Sequence, residues 1–191
     1  RIVVPGNHDV PLYRVWERFL SPLGKYQRIV QSDLEPSYVD GEIAVLGINT
    51  ARALTFKGGR INKEQMASIE RRLKPLGAAV TKVVVTHHPF DVPDDSGDVD
   101  LVGRAKKAMA VFSDCGVDLL LSGHFHVSQS GETWRDAIAG YSALAVQAGT
   151  ATSTRGRGEE NSFNVVRIAR SEIVVERWAF DRDARAFGPA G

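Results

Sequence analysis

Short apolar runs that stop at glycine, proline or polar residues recur along this chain. Three of them read IVVPGNHD, KVVVTHHP and DLLLSGHFH. Continuous valine, isoleucine and leucine without alternation is typical of strands that are buried on both faces, and the residues that follow are typical of loops. The pattern predicts strands over Ile2–Val4, Lys82–Thr86 and Val117–Leu121, each ending in a polar loop.

The segments between these runs show helical and strand patterns in alternation. Asn62 and Gln65 have the spacing of a capping box, and Gly116 has the position of a helix stop after a second helix that Asp100 would begin. The predicted helices run from Pro11 to Leu20, from Asn62 to about Leu73 and from Leu101 to Ser113, and the further predicted strands are Tyr26–Val30, Glu42–Ile48, Ala143–Ala148, Phe163–Ala169 and Ile173–Phe180. This order predicts a single α/β domain over residues 1–191 with a β-rich end.

The composition excludes several classes of protein. The chain has 191 residues and a formal net charge of +1, and no apolar run reaches the roughly 20 residues of a membrane-spanning helix. Its densest basic stretch, Arg155–Arg157, is followed closely by Glu159 and Glu160, so we expect neither a membrane nor a nucleic acid as partner. Cys115 is the only cysteine, which excludes an internal disulfide and fits the reducing cytoplasm.

All five histidines fall in the loops that leave the three apolar runs. They are His8, His87, His88, His124 and His126. A single histidine in a loop is usually a polar residue bonded to its surroundings, but five at strand ends favour one shared site, because loops at the same ends of neighbouring strands converge. Neutral imidazole is the commonest side-chain metal ligand, and a lone cysteine excludes a zinc finger, so the pattern predicts a metal centre.

The three motifs, in this order, resemble the calcineurin-like metallophosphoesterases. The nearest subgroup is the bacterial one that includes cyclic-nucleotide and glycerophosphodiester phosphodiesterases. The stretches GGRINKEQMASIERRL and VQAGTATSTRGRGEENSFNVVRI are also similar to that subgroup, so the resemblance covers nearly the whole chain. It implies a four-layer α/β/β/α sandwich, here lacking its N-terminal strands.

The resemblance also implies the ligands of two metal ions. Asn7, His87 and His124 resemble ligands of the second metal, and His126 resembles a ligand of the first. Mixed amide, imidazole and carboxylate ligands suit Mn, Fe, Co or Zn better than Mg or Ca.

Three further residues receive roles at the same site. His8 resembles the residue that protonates the leaving group, and Asp9 resembles the carboxylate that orients it. His88 has no fixed role in the family, so two readings stay open: a contact to substrate, or a loop histidine bonded to backbone.

The implied activity is the hydrolysis of a small phosphodiester by a metal-bound hydroxide. The alternative is a non-catalytic scaffold or partner-binding module of the same fold. The family also uses an Asp-x-His and a Gly-Asp before GNHD, and only five residues precede Gly6 here. We therefore expect this chain in isolation to hold at most one metal and to be nearly inactive, and we expect the unpaired edge of Ile2–Val4 to favour homo-oligomers.

Overall fold

The computed structural model of the chain describes residues 1–55, 58–91, 101–125, 129–132, 141–152, 160–169 and 172–190. Its helices are α1 (Val15–Leu20), α2 (Gly24–Ile29), α3 (Lys63–Leu73) and α4 (Ala105–Cys115), and Asn7–Asp9 form one 3-10 turn. Its strands are β1 (Ser37–Val39), β2 (Ile43–Gly47), β3 (Thr81–Val85), β4 (Leu119–Ser122), β5 (Gln129–Glu132), β6 (Leu144–Gln147), β7 (Ser162–Ala169), β8 (Glu172–Asp181) and β9 (Ala186–Pro189).

The strands form two sheets. The first has the order β1-β2-β3-β4-β6-β5, in which β2, β3, β4 and β6 run parallel and the two outer strands run antiparallel to their neighbours. The second is the antiparallel sheet β7-β8-β9. The parallel pairing brings the carboxyl ends of β2, β3, β4 and β6 to one edge of the first sheet, which is where the polar loops begin.

The first sheet is buried on both faces. On one face α3 and α4 form a core with Leu46, Val84 and Leu120. On the other face, Val83, Leu119 and Val146 pack against the second sheet through Val166, Ile168, Ile173 and Val175. Double burial explains why these strands are continuous apolar runs rather than alternating ones.

The resulting layers confirm the α/β fold. Among the described residues, α3 and α4, the first sheet and the second sheet supply three layers of the expected sandwich. Helix α2 packs in a separate small cluster, where Leu23 and Tyr26 meet Val10 and Ala51.

The strand predicted over Ile2–Val4 is wrong. These residues form no strand, and none of the described strands pairs with them. The side chains of Ile2 and Val4 instead lie over Gly47 of β2, where a Cβ atom would come within 3.1 Å and 3.0 Å of their methyl groups. Their apolar character is used in packing and not in a sheet.

The strand predicted over Tyr26–Val30 is also wrong, because Gly24–Ile29 form α2. Leu23 and Tyr26 are three residues apart and are both 5% exposed, which is the inward spacing of a helix. Ile29 is 74% exposed and Val30 is 40% exposed, so the two aliphatic residues of the segment are not core residues.

Most of the remaining element predictions are confirmed with shifted ends. The amide of Gln65 donates to Asn62 Oδ1 at 2.7 Å and the amide of Asn62 donates to Gln65 Oε1 at 2.9 Å, so the capping box of α3 is present. Helix α4 begins at Ala105 rather than at Leu101. The proposed cap at Asp100 lies outside the described residues. Strands β1, β5 and β9 were not anticipated.

Helix α1 begins at Val15 rather than at Pro11, and it is held by a buried cation instead of by its apolar residues. Trp16 is 80% exposed and Leu20 is 79% exposed, whereas Arg18 is 3% exposed. The Arg18 guanidinium donates to the carbonyls of Pro11 and Thr55, at 2.9 Å and 3.1 Å. Helix α1 therefore presents an apolar surface to solvent.

The end of α4 is closed by two features. Gly116 follows the helix with a φ of 64°, and the amide of Val117 donates to the carbonyl of Phe112 at 2.9 Å. The buried Lys82 of β3 donates from Nζ to the carbonyl of Cys115 at 2.9 Å. A cation at the C-terminal end of a helix stabilises it, because this end carries the negative pole of the helix dipole.

Among the described helices, none has the length and apolar character needed to cross a membrane.

Replacing Gly116 by Ala should lower the free energy of unfolding by roughly 1–2 kcal/mol, because an L-residue pays the steric cost of the left-handed region. A Cβ atom there would be 3.6 Å from Lys82 Nζ, an ordinary contact, so the backbone alone sets the effect. The control is Gly77→Ala, where a Cβ atom meets nothing within 4 Å. Urea unfolding of the two variants measures the difference, and equal stabilities would contradict the left-handed cap.

Candidate metal centre

Two loops at the carboxyl edge of the first sheet start side by side. Strands β3 and β4 pair in parallel with Val85 opposite Leu121. The hydrogen bonding continues past the strand ends, because the amide of Thr86 donates to the carbonyl of Leu121 at 2.9 Å and the amide of Gly123 donates to the carbonyl of His87 at 3.1 Å. The backbone therefore ties the loop of His87 and His88 to the loop of His124.

Three imidazoles meet where these loops leave the sheet. His87, His88 and His124, which we call the histidine cluster, each offer one ligand nitrogen, and these atoms all lie within 4.8 Å of one another. His87 Nε2 is 3.2 Å from His124 Nδ1 and 3.1 Å from Asn7 Oδ1. Two ligand atoms that each lie about 2.0–2.1 Å from one zinc-sized ion are roughly 3–3.4 Å apart. Asn7, His87 and His124 thus have the spacing and the donor chemistry of ligands to a single divalent transition metal.

His88 is fixed from behind by a hydroxyl group. Its side chain is 0% exposed, and its Nδ1 lies 2.8 Å from Thr50 Oγ1. Its carbonyl accepts a hydrogen bond from Thr86 Oγ1 at 2.8 Å. A hydrogen bond at one ring nitrogen orients the ring, which leaves the other nitrogen for a ligand role. A contact between His88 and substrate stays a prediction, and the burial of the ring argues against it.

Gly59 packs against the same edge of the His88 ring that Thr50 contacts. A Cβ atom at this position would lie 2.4 Å from His88 Nδ1 and 2.9 Å from the carbonyl oxygen of Thr50. Real Cβ atoms do not approach so closely, so only glycine leaves room for the ring. Thr50 and Gly59 together hold His88 in place.

His124 reaches the cluster through an unusual backbone conformation. Its φ is 78°, in the left-handed region that residues with a side chain rarely adopt. This turn places its ring 4.6 Å from the His88 ring and 5.1 Å from the His87 ring, centre to centre. Backbone strain of roughly 1–3 kcal/mol at such positions is typical of functional sites.

The turn after Gly6 supplies the amide oxygen. Asp9 Oδ2 accepts a hydrogen bond from the amide of Gly6 at 2.8 Å, and the amide of Asp9 donates to the carbonyl of Gly6 at 3.2 Å. These bonds close the 3-10 turn that carries Asn7 to His87. A Cβ atom on Gly6 would lie 2.9 Å from His87 Nδ1, so the backbone itself touches the ring.

The structure brings together Asn7, His87 and His124 and adds His88 to them. His8 is exposed on the 3-10 turn. The carboxylate of Asp9 accepts a hydrogen bond from the amide of Gly6 and so orients the turn, and its orientation of the His8 imidazole stays a prediction. The assignment of His126 as a ligand lies outside the described residues and stays a prediction.

Sequence reasoning missed Thr50 and Gly59. A signal existed for Thr50, because it follows the apolar strand β2 at the same sheet edge as the histidines. No local signal existed for Gly59, whose role comes from a ring 29 positions away in the sequence.

Replacing Gly6 by Ala should weaken binding of Zn²⁺ or Mn²⁺ by about 10–100-fold, the usual cost of disturbing a group that positions a ligand. The added methyl group would push His87 away from Asn7 and His124. Calorimetric titration of the metal measures the effect. Gly41→Ala is the control, since a Cβ atom there meets nothing within 4 Å. Unchanged metal affinity in Gly6→Ala would show that the His87 ring does not bind the metal.

Replacing His124 by Gly or by Ala tests the strained backbone. Both variants lack the imidazole, but glycine adopts the φ of 78° without the steric cost. In the metal-free state His124→Gly should therefore be more stable than His124→Ala by roughly 1 kcal/mol. Denaturant unfolding in the presence of a chelator makes the comparison, and a more stable alanine variant would contradict the conformation described.

Comparison with known proteins agrees with this geometry. The chain matches the family model of the calcineurin-like phosphoesterases over residues 1–128. No curated protein matches the chain significantly in sequence.

Similar solved structures have low sequence identity. One is GAP50, described as the anchor in the inner membrane complex of Plasmodium, with 16% identity and a TM-score of 0.51 over 77% of this chain and 50% of that chain. A putative 5'-nucleotidase from Staphylococcus aureus, in complex with alpha-ketoglutarate, has 14% identity and a TM-score of 0.41 over 82% of this chain and 28% of that chain. Vps29 from Entamoeba histolytica, complexed with zinc, has 16% identity and a TM-score of 0.32 over 78% of this chain and 81% of that chain.

The chain spans half or less of the first two of these proteins. The likeness to GAP50 supports the fold alone. The family model covers two thirds of the chain and includes the 3-10 turn and both histidine loops. The chain belongs to the calcineurin-like phosphoesterase family.

Proposed function

We propose that the protein is a metal-dependent phosphoesterase that hydrolyses small phosphodiesters of the cyclic-nucleotide or glycerophosphodiester type, as in the bacterial subgroup that its motifs resemble. One observation carries the proposal. Asn7 Oδ1 and His124 Nδ1 lie 3.1 Å and 3.2 Å from His87 Nε2, at the loop edge of a sheet in a member of this family.

The chemistry of phosphodiester hydrolysis suits these residues. A phosphodiester is an anion that repels an anionic nucleophile, and a pair of divalent ions neutralises the phosphoryl oxygens and supplies hydroxide near neutral pH. Asn7, His87 and His124 would hold one ion, with His126 as a ligand of the other. Imidazole and amide donors favour Mn, Fe, Co or Zn.

His8 is the residue we assign to the leaving group. It follows Asn7 directly on the exposed 3-10 turn, so it can approach a phosphodiester bound next to the cluster. In this role its imidazolium donates a proton to the departing alkoxide oxygen. Asp9 acts through the backbone, since its bond to Gly6 sets the turn on which His8 stands.

A non-catalytic, metal-binding scaffold is the second candidate function, and one observation favours it. In the described part of the chain the potential metal-binding group consists of histidines, and no carboxylate joins it. Two dications held close together repel strongly unless a negative ligand lies between them. A centre of imidazoles and one amide suits a single ion.

Two histidine variants separate catalysis from metal binding. His8→Ala should lower turnover by roughly 10²–10⁴-fold while the bound metal stays the same, because a positioned acid contributes about that factor. His124→Ala should lose metal and activity together. Hydrolysis of bis(p-nitrophenyl) phosphate with added Mn²⁺ and elemental analysis of bound metal measure both effects.

Tyr13→Ala is the control for the surface next to the turn, because Tyr13 is 93% exposed. These variants are made in a form of the protein that includes any residues encoded before Arg1. Loss of metal in His8→Ala with retention in His124→Ala would reverse the assignments. A metal-loaded protein that hydrolyses no phosphoester would favour the scaffold.

The 191-residue chain should hold at most one metal ion per molecule and hydrolyse phosphodiesters only negligibly, since its described cluster contains no carboxylate. The same elemental analysis and the same substrate apply. Two tightly bound ions with turnover that depends on His8 would mean that a carboxylate within this chain completes the centre.

A further inference from the structure

A cavity lies beside the histidine cluster, and none of the residues that line it belongs to the cluster. It has a volume of about 700 Å³ and lies between the segment that joins α1 to α2 and the loop that follows β2. Cavities that bind small organic molecules typically have volumes of about 300–1,000 Å³. The size therefore fits a small organic ligand.

The described walls of this cavity are mainly apolar, with two cations and the polar residues Ser21, Gln27, Asn49 and Thr55. Leu23 and Leu34 line its inside, and Leu20 and Leu54 stand at its rim, where they are 79% and 81% exposed. Binding of an apolar group that covers exposed leucines is favourable, because it removes their apolar surface from water. Arg52 and Arg60 are the charged side chains of the lining.

Arg52 is held in position by a network of hydrogen bonds. Its guanidinium donates to the carbonyl of Ala51 at 3.0 Å and to the side-chain oxygen of Gln65. Gln65 is in turn fixed by the capping box of α3 and by a bond to the carbonyl of Asn49 at 2.8 Å. A guanidinium carries five N–H donors, so two such bonds leave donors for a ligand.

The charged side chains of the described cavity lining favour an anion. Burial lowers the pKa of Arg52, while the charge of Glu35 opposes that change. Glu35 contacts the far side of Gln65 and does not line the cavity, whereas two guanidinium groups do. A guanidinium that is partly removed from water gains from a paired anion, and it binds carboxylates and phosphates in a fork geometry.

The walls of the cavity continue directly into the supports of His88. Thr50, which bonds His88, lies between Asn49 and Ala51, and both of these neighbours line the cavity. Gly59, which packs on the His88 ring, directly precedes Arg60. A ligand in the cavity would therefore contact the two segments that position the ring.

We propose that this cavity is a binding site for a small organic anion with an apolar body, in which Arg52 contacts the anionic group and the leucines contact the body. The site is separate from the histidine cluster and does not depend on the proposed hydrolytic function.

The test uses phenyl phosphate as the probe and the 191-residue chain in the presence of a chelator, so that no metal contributes to binding. Calorimetric titration should give binding of phenyl phosphate that is at least tenfold tighter than that of inorganic phosphate, which lacks the apolar body. Arg52→Gln should weaken phenyl phosphate by roughly 10–100-fold, the range for a lost charge-assisted hydrogen bond. Arg52→Lys should retain part of the affinity.

Two further variants keep the test decisive if Arg52→Gln disturbs the fold. Ala53→Trp places a large ring in the cavity without removing a charge and should abolish binding, since Ala53 lines the wall. Arg71→Gln removes an exposed arginine from α3 and should leave binding unchanged. Equal affinities for phenyl phosphate and inorganic phosphate, or full binding in Ala53→Trp, would overturn the proposal.

The outcome is independent of catalysis. A chain that binds phenyl phosphate but hydrolyses nothing leaves this site standing and removes only the hydrolytic function. A chain that hydrolyses phosphodiesters but fails to bind phenyl phosphate without metal keeps the hydrolytic function and removes this site.

Discussion

The parallel pairing of β3 with β4 is the constraint on which the rest of the site depends. Val85 stands opposite Leu121, and the ladder extends into the loops through the bond from Gly123 to the carbonyl of His87. Because both faces of this sheet are buried, a shift of one residue would turn core side chains away from their packing partners. The hydrophobic core therefore fixes the spacing of the two loops that carry His87 and His124.

The elements of the fold that packing determines could be predicted from the sequence. The apolar runs around β2, β3, β4 and β6 are read directly, and the spacing of Asn62 and Gln65 marks the start of α3. The predictions that failed, Ile2–Val4 and Tyr26–Val30, concern short segments whose structure depends on neighbours that are distant in sequence. Apolar character alone does not distinguish packing against Gly47 from pairing in a sheet.

The candidate site divides in the same way. His87 and His124 converge because each follows one of two neighbouring parallel strands, and their ring nitrogens lie 3.2 Å apart. Asn7 Oδ1 lies 3.1 Å from His87 Nε2 although Ile2–Val4 form no strand, so its position depends on the turn after Gly6. The hydrogen bond that holds His88 to Thr50 joins residues 38 positions apart in the sequence. The left-handed backbone of His124 cannot be predicted from the presence of a histidine. Both features arise from tertiary structure, so the spacing of residues in the sequence does not predict them.

Lys82 lies at the opposite end of β3 from the histidines, and its burial limits which substitutions this protein tolerates during evolution. Its ammonium group holds the carbonyl of Cys115 inside the fold, where a substitution would leave a buried polar group without its partner. His87 and His124 lie on loops at the edge of the sheet and are only partly buried. A few substitutions at these loops can therefore remove the metal site and leave the fold intact. Substitutions around Lys82, at the other end of β3, are restricted by the stability of the fold whether or not the metal site is kept.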